Sequence, residues 1–144
     1  MTATNQDFRV YAGDSAVLDV TLSTADGTPL QLDDTVHLKW LMTRYPQDES
    51  KAVIVKTLGD GIEKVDAGVA ISLVNNDTAG LPFGAYRHEL KIWNGPDTNT
   101  AMVGTAVIMK CVRMGPPGSV QQVEQAQATH TNRIALTAWP VRAV

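Results

Sequence analysis

The stretch GVAISLVNNDTAGLPFGAYRHELKIW, residues 68–93, holds two runs of alternating side chains around a group of turn-forming residues. Before that group, Val69, Ile71 and Leu73 share a face. After it, Tyr86, His88, Leu90 and Ile92 alternate with Arg87, Glu89 and Lys91. Period two is the spacing of a strand with one face buried. Two such strands need a corner between them, and Asn75 to Asp77 tolerate the capping and left-handed geometries a corner uses. Asp77 is expected to cap a single helical turn through TAGLP, with Gly84 letting the chain re-enter a sheet. Leu81 would plug one end of the core. The buried ring of Tyr86 leaves its hydroxyl in need of a partner, and a backbone group of the corner is the nearest candidate. A calcium loop would need alternating oxygen ligands and a closing glutamate, which the stretch lacks.

The same period extends outward. Ala16, Leu18, Val20 and Leu22 share one face, as do Val36, Leu38, Trp40 and Met42; AVIVKT, GIEKV and TAMVGTAVIMKCV supply further runs. Asp26-Gly27, Asp60-Gly61 and Asn94-Gly95-Pro96 supply the turns. With no sustained helical period, the pattern predicts an all-β sandwich or barrel of about seven to eight short strands.

Composition bounds the function. A chain of 144 residues, 44% hydrophobic and 19% charged, is sized for one folded domain. A net charge of −3 with interspersed signs gives no basic field for nucleic acid. The single cysteine, Cys111, sits in an apolar run and reads as a small buried hydrophobe. The N-terminal residues show no signal-peptide pattern and no uninterrupted apolar run approaches the roughly 20 residues that span a bilayer, so no membrane partner is expected and the protein is expected to be kept in the cytoplasm or to leave it without a signal peptide.

A search for chemistry finds none that the spacing supports. His37, His88 and His130 share no metal-ligand spacing. His88 and Glu89 are adjacent on a strand and so point to opposite faces. Ser72, His37 and Asp19 lack a nucleophile elbow or oxyanion-hole motif. Asp60, Glu63 and Asp66 read as a solvated hairpin. The expectation is no enzyme, no cofactor and no metal. A carbohydrate-binding sandwich is the rival class, with Trp40, Trp93 and Trp139 as the available aromatics and Trp40 assigned to the core, so carbohydrate is disfavoured.

These residues resemble the small immunoglobulin-like modules of tailed-bacteriophage virion proteins, of the baseplate, fibre-attachment or capsid-cement type. The likeness runs over about residues 8–112 and rests on Gly13-Asp14, a hairpin with Asp26, Gly27, Pro29 and Leu32, a corner with Asp77, Thr78, Leu81, Gly84 and Tyr86, and Gly104 before the last long run. It implies an immunoglobulin-like β-sandwich of antiparallel strands and a virion structural role. The leading expectation is a capsid cement or decoration protein; the alternative is a tail baseplate or fibre-attachment protein. Other virion proteins and further copies of the chain would be its partners, and it would be assembled in the host bacterial cytoplasm. YPQDESKAV is longer than such modules require, and the continuation from Met114 onward lies outside the likeness.

The chain thus divides into an N-terminal arm (1–7), a sandwich domain (8–114) and an extended C-terminal arm (115–144). GPPG, residues 115–118, stops the last run, because neither proline can donate to a ladder. Val120, Val123, Ile134, Leu136, Trp139 and Val141 are too few for a second core. They are candidate contacts with a neighbouring subunit, while a strand folding back on the same domain is the other reading.

Overall fold

The computed structural model describes residues 2–24, 27–28, 32, 35–44, 48–66, 68–110 and 132–141. Within them lie β1 (Phe8–Tyr11), β2 (Ala16–Thr24), β3 (Val36–Thr43), β4 (Ala52–Leu58), β5 (Gly61–Val65) and β6 (Gly68–Leu73). After these come α1 (Asn75–Ala79), β7 (Gly84–Asn94), β8 (Asp97–Met109) and β9 (Asn132–Val141). A 3-10 turn at Glu49–Lys51 leads into β4. The domain is all-β, as the alternation predicts.

The strands join in the order β1-β8-β7-β3-β4-β5-β6-β2-β9, a mixed sheet of nine strands among the described residues that curls into a nearly closed, barrel-like form. β1 and β8, β2 and β9, and β4 and β5 pair in parallel; the remaining neighbours are antiparallel. An all-antiparallel arrangement was the expectation, and the three parallel pairs correct it. Alternation is the same for either chain direction, so periodicity carries no information about it. The β4–β5 junction is narrow, registered at Thr57–Gly61 and Leu58–Ile62.

The alternating faces land as their spacing requires. Leu18, Trp40, Ile71, Leu90, Ile92 and Met102 are fully buried in one continuous core. Each such side chain contributes roughly 1.5–3 kcal/mol by leaving water. Val53 and Val55 of β4 and Val65 of β5 remain exposed on the outer surface. Asp60, Glu63 and Asp66 are exposed, as expected of a solvated hairpin. β7 and β8 form the longest hairpin, closed by Gly95 and Pro96 between Asn94 and Asp97.

Both segments expected to act as arms have described residues that lie against this domain. Ala3 bridges Met102 of β8 and is buried. From Ala16 to Leu22, β2 pairs with Asn132 to Ala138 of β9 in parallel register. Leu136 and Ala138 are buried in the chain's own core, and Ile134 packs against it half-buried. The position of Leu136 in this structure is therefore that of a core residue, the fold-back alternative for its segment. The driving force is plain: alternate residues of β9 are apolar and continue the inner face of β2. Val120, Val123, Cys111 and His130 lie outside the described residues, as do the side chains of Trp139 and Val141.

Candidate functional site

Two constellations draw polar side chains together, the corner between β6 and β7 and the seam where the N-terminal segment before β1 meets β7, β8 and β9. In the corner, α1 is a single turn. Asp77 lies inside it, where its carboxylate accepts the backbone N–H of Val74 (2.8 Å) and pairs with Lys56 of β4 (3.0 Å). Asp77 is thus not the cap residue that its type suggests: it stands three residues after the cap and reaches back to it. A carboxylate there also meets the positive end of the turn's exposed amides. Thr78, fully buried, accepts the N–H of Gly13 on its hydroxyl (2.9 Å), which fastens the corner to the β1–β2 connection.

Tyr86 completes the corner. Its hydroxyl donates to the carbonyl of Pro82 (2.6 Å) and receives Arg44 Nη1 (3.3 Å), whose guanidinium carbon stands 5.1 Å from the ring centre. The partner expected for this hydroxyl is the one found. Gly84 has φ +132°, a conformation side chains with a β-carbon rarely adopt, and Leu81 packs half-buried against the core. Asp77, Leu81, Gly84 and Tyr86 are thus brought together in one structural corner.

The second constellation was not read from the sequence. His88, fully buried on β7, receives the indole N–H of Trp40 on Nδ1 (3.1 Å). An indole nitrogen can only donate, so Nδ1 is the acceptor and the ring's proton is on Nε2. From there it donates to the carbonyl of Gln6 (2.6 Å). Phe8 meets the imidazole edge-on, with ring centres 4.9 Å apart. Burial holds the His88 pKa below its ordinary value, against the raising effect of the Gln6 carbonyl. Gly104 of β8 makes this possible, because a β-carbon there would overlap the Gln6 carbonyl oxygen. The side chain of Gln6 in turn accepts the backbone N–H of Thr137 (2.9 Å), joining the N-terminal segment to β9 across the opening of the sheet. Gln6 is therefore the meeting point of three elements. Its sequence context, polar and N-terminal, gives no signal of that; the late glycine, Gly104, was the visible trace.

The other candidates are dispersed. His37 is exposed on β3 opposite half-buried Trp93, and Ser72 lies on β6 with β4 and β5 between it and β3. Asp19 is held by Arg133 of β9, whose Nε and Nη2 approach its two oxygens at 2.9 and 2.5 Å. Trp40 is wholly enclosed and offers no face to a sugar. A surface hollow beside the β4–β5 turn is lined by Leu58, Ile62, Glu63, Lys64 and Ser72, and Lys64 reaches the carbonyl of Leu32 (3.0 Å). Among the described residues no three His, Cys, Asp or Glu side chains gather as a metal site, and no helix is long and apolar enough to cross a membrane. What both constellations do chemically is join elements, through hydrogen bonds whose donors and acceptors are occupied by the protein itself. A scan against protein-family models matched none, and a search of curated proteins returned no match.

Proposed function

We propose that the chain is an immunoglobulin-like β-sandwich serving as a structural protein of a bacteriophage virion, in the first place a capsid cement or decoration protein. The observation that carries the reading is the Tyr86 corner. In immunoglobulin-like domains a tyrosine near the start of the sixth strand bonds back to the backbone a few residues upstream, and here Tyr86 bonds to the Pro82 carbonyl at 2.6 Å. If the narrow β4–β5 junction is taken as a crossing between layers, the strand order divides into β1-β8-β7-β3-β4 and β5-β6-β2-β9. That is the grouping of an immunoglobulin-type sandwich, with β9 beside β2 where a first strand would stand. Trp40 then occupies the central tryptophan position, and His88, two residues after Tyr86, the place of the second disulfide cysteine.

The virion role rests on the resemblance, and its residues have frame-building tasks: Asp77, Thr78, Gly84 and Tyr86 make the corner, and Gly104 seats Gln6. A module whose polar groups are committed to its own frame works by presenting surface to neighbours, and many copies give strength that one modest contact lacks. The test is electron microscopy of virions labelled on this protein. Dense label over the head supports cement. Label at one vertex or the tail tip supports the baseplate or fibre-attachment alternative. Purified particles free of the protein would overturn both, and binding to a glycan panel would favour the carbohydrate module.

A further inference from the structure

A titratable ring stands at the centre of the domain where an aliphatic side chain would fill the same space, and both of its nitrogens hold neighbouring elements. We propose that the Trp40–His88–Gln6 chain is an acid-operated latch: protonating His88 releases residues 2–7 from β8, and β9 from Gln6, while the ladders of β3, β7 and β8 stay closed. The inference stands independently of the virion reading.

In the closed state the imidazole is neutral, with Nδ1 accepting from Trp40 and Nε2 donating to Gln6. A second proton arrives at Nδ1 and sets two donors against each other. While the segment stays closed, Nε2 can still donate to Gln6, so the conflict within the closed site lies on the Trp40 side. The charge also finds apolar surroundings, with Phe8 at its edge, Trp40 beside it and Met42 as its register partner on β3. The groups that bear on its charge are Asp7 and Glu89, which favour it, and Arg87, which opposes it. β3 presents Trp40 and Met42, β8 presents Gly104 and β1 presents Phe8, none of which titrates.

Relief requires water at the ring, and only one cover can lift without breaking a continuous ladder. β3 is held between β7 and β4, and β8 between β7 and β1. Residues 2–7 hang on a few bonds to β8: Ala3 N to Ala101 O (3.1 Å), Val103 N to Ala3 O (2.9 Å), Gln6 N to Val103 O (3.2 Å) and Thr105 N to Asp7 Oδ1 (2.8 Å). Such edge segments open at lower free energy than the ladders beneath them. When Gln6 leaves, Thr137 loses its acceptor.

The sign follows from linkage. Burial lowers the closed-state pKa, whereas the opened ring titrates near the ordinary value of about 6.5. The closed form is therefore fully favoured above about 6.5 and loses ground as pH falls from there to the closed-state value.

The experiment is amide hydrogen exchange on the full chain between about pH 7.5 and about pH 5, above the carboxylate range, corrected for intrinsic rates. An NMR titration of the His88 ring accompanies it. Protection at Ala3, Gln6, Val103 and Thr137 is expected to fall by up to about tenfold per pH unit below about 6.5, with Leu38 and Leu90 unaffected. His88→Gln, which keeps a non-titrating donor, is expected to flatten that dependence. His37→Gln is expected to leave it in place. If His88→Gln does not fold, Trp40→Phe serves instead: without the opposing donor the closed ring accepts its proton more readily, so the pH-dependent loss of protection at the same amides is expected to shrink. Equal protection across the range in the wild type, or the same pH-dependent loss in a folded His88→Gln, overturns the latch.

Discussion

Trp40 donates its indole N–H to Nδ1 of His88 across 3.1 Å of closed interior, and this bond fixes which ring nitrogen holds the proton. Replacing Trp40 by Phe keeps most of the aromatic volume and strands the Nδ1 acceptor. The expected loss is about 1–3 kcal/mol, the range for a buried polar group left unpaired, read from urea unfolding at neutral pH. The His88 ring should then take up its proton at higher pH, as an NMR titration would record. An unchanged titration would mean that the indole does not set the ring's state.

Tyr86→Phe removes the hydroxyl that joins Pro82 and Arg44 and leaves the ring buried. A loss of about 0.5–1.5 kcal/mol is expected, because the Pro82 carbonyl can regain a partner from water. Thermal melting with and without the added substitution Arg44→Ala separates the two contacts. If the corner is built as described, the cost of Arg44→Ala is smaller once the hydroxyl is gone.

Gly104→Ala places a methyl group against the Gln6 carbonyl and His88 Nε2. Overpacking of this kind typically costs about 1–3 kcal/mol. The effect should be local, with amide exchange accelerated at Ala3 and Gln6 before it is in β3. Acceleration spread evenly over the sheet would contradict that.

Leu136→Ala tests whether β9 belongs to its own domain. Leu136 is 5% exposed, so truncation should cost about 2–5 kcal/mol in the isolated, monomeric chain. Its neighbour pair Arg133–Asp19 is exposed, and Arg133→Ala should cost under about 1 kcal/mol. A Leu136→Ala chain as stable as the wild type in dilute solution, yet weakened at high concentration, would place the strand on a second copy instead.

The fold is legible in the sequence where side-chain alternation and turn chemistry suffice. Ala16, Leu18, Val20 and Leu22, then Val36, Leu38, Trp40 and Met42, then Tyr86, His88, Leu90 and Ile92 all face inward as their spacing requires. The Tyr86 corner was legible for the same reason, since a buried hydroxyl must find a partner and the nearby backbone offers one. Strand direction was not legible, because a parallel and an antiparallel neighbour ask for the same alternation. Nor was Gln6. Its importance comes from a backbone carbonyl reaching His88 from 82 residues away in sequence and a side-chain oxygen reaching Thr137 from 131 away. Neither task leaves a mark on residue type.

The bond between Gln6 and Thr137 has a topological consequence. The N-terminal segment runs parallel to β8, whereas β9, parallel to β2, runs the opposite way. From that bond, the chain traced back to residue 2 and the chain traced forward to residue 141 therefore travel in the same direction, side by side. At the opposite pole, Met109 faces Tyr11 and Asn132 faces Ala16, so the two ends of the intervening stretch also share one side. A short peptide joining residue 141 to residue 2, with new termini cut between residues 111 and 131, would preserve every strand pairing described. A chain permuted in this way should fold to the same sheet.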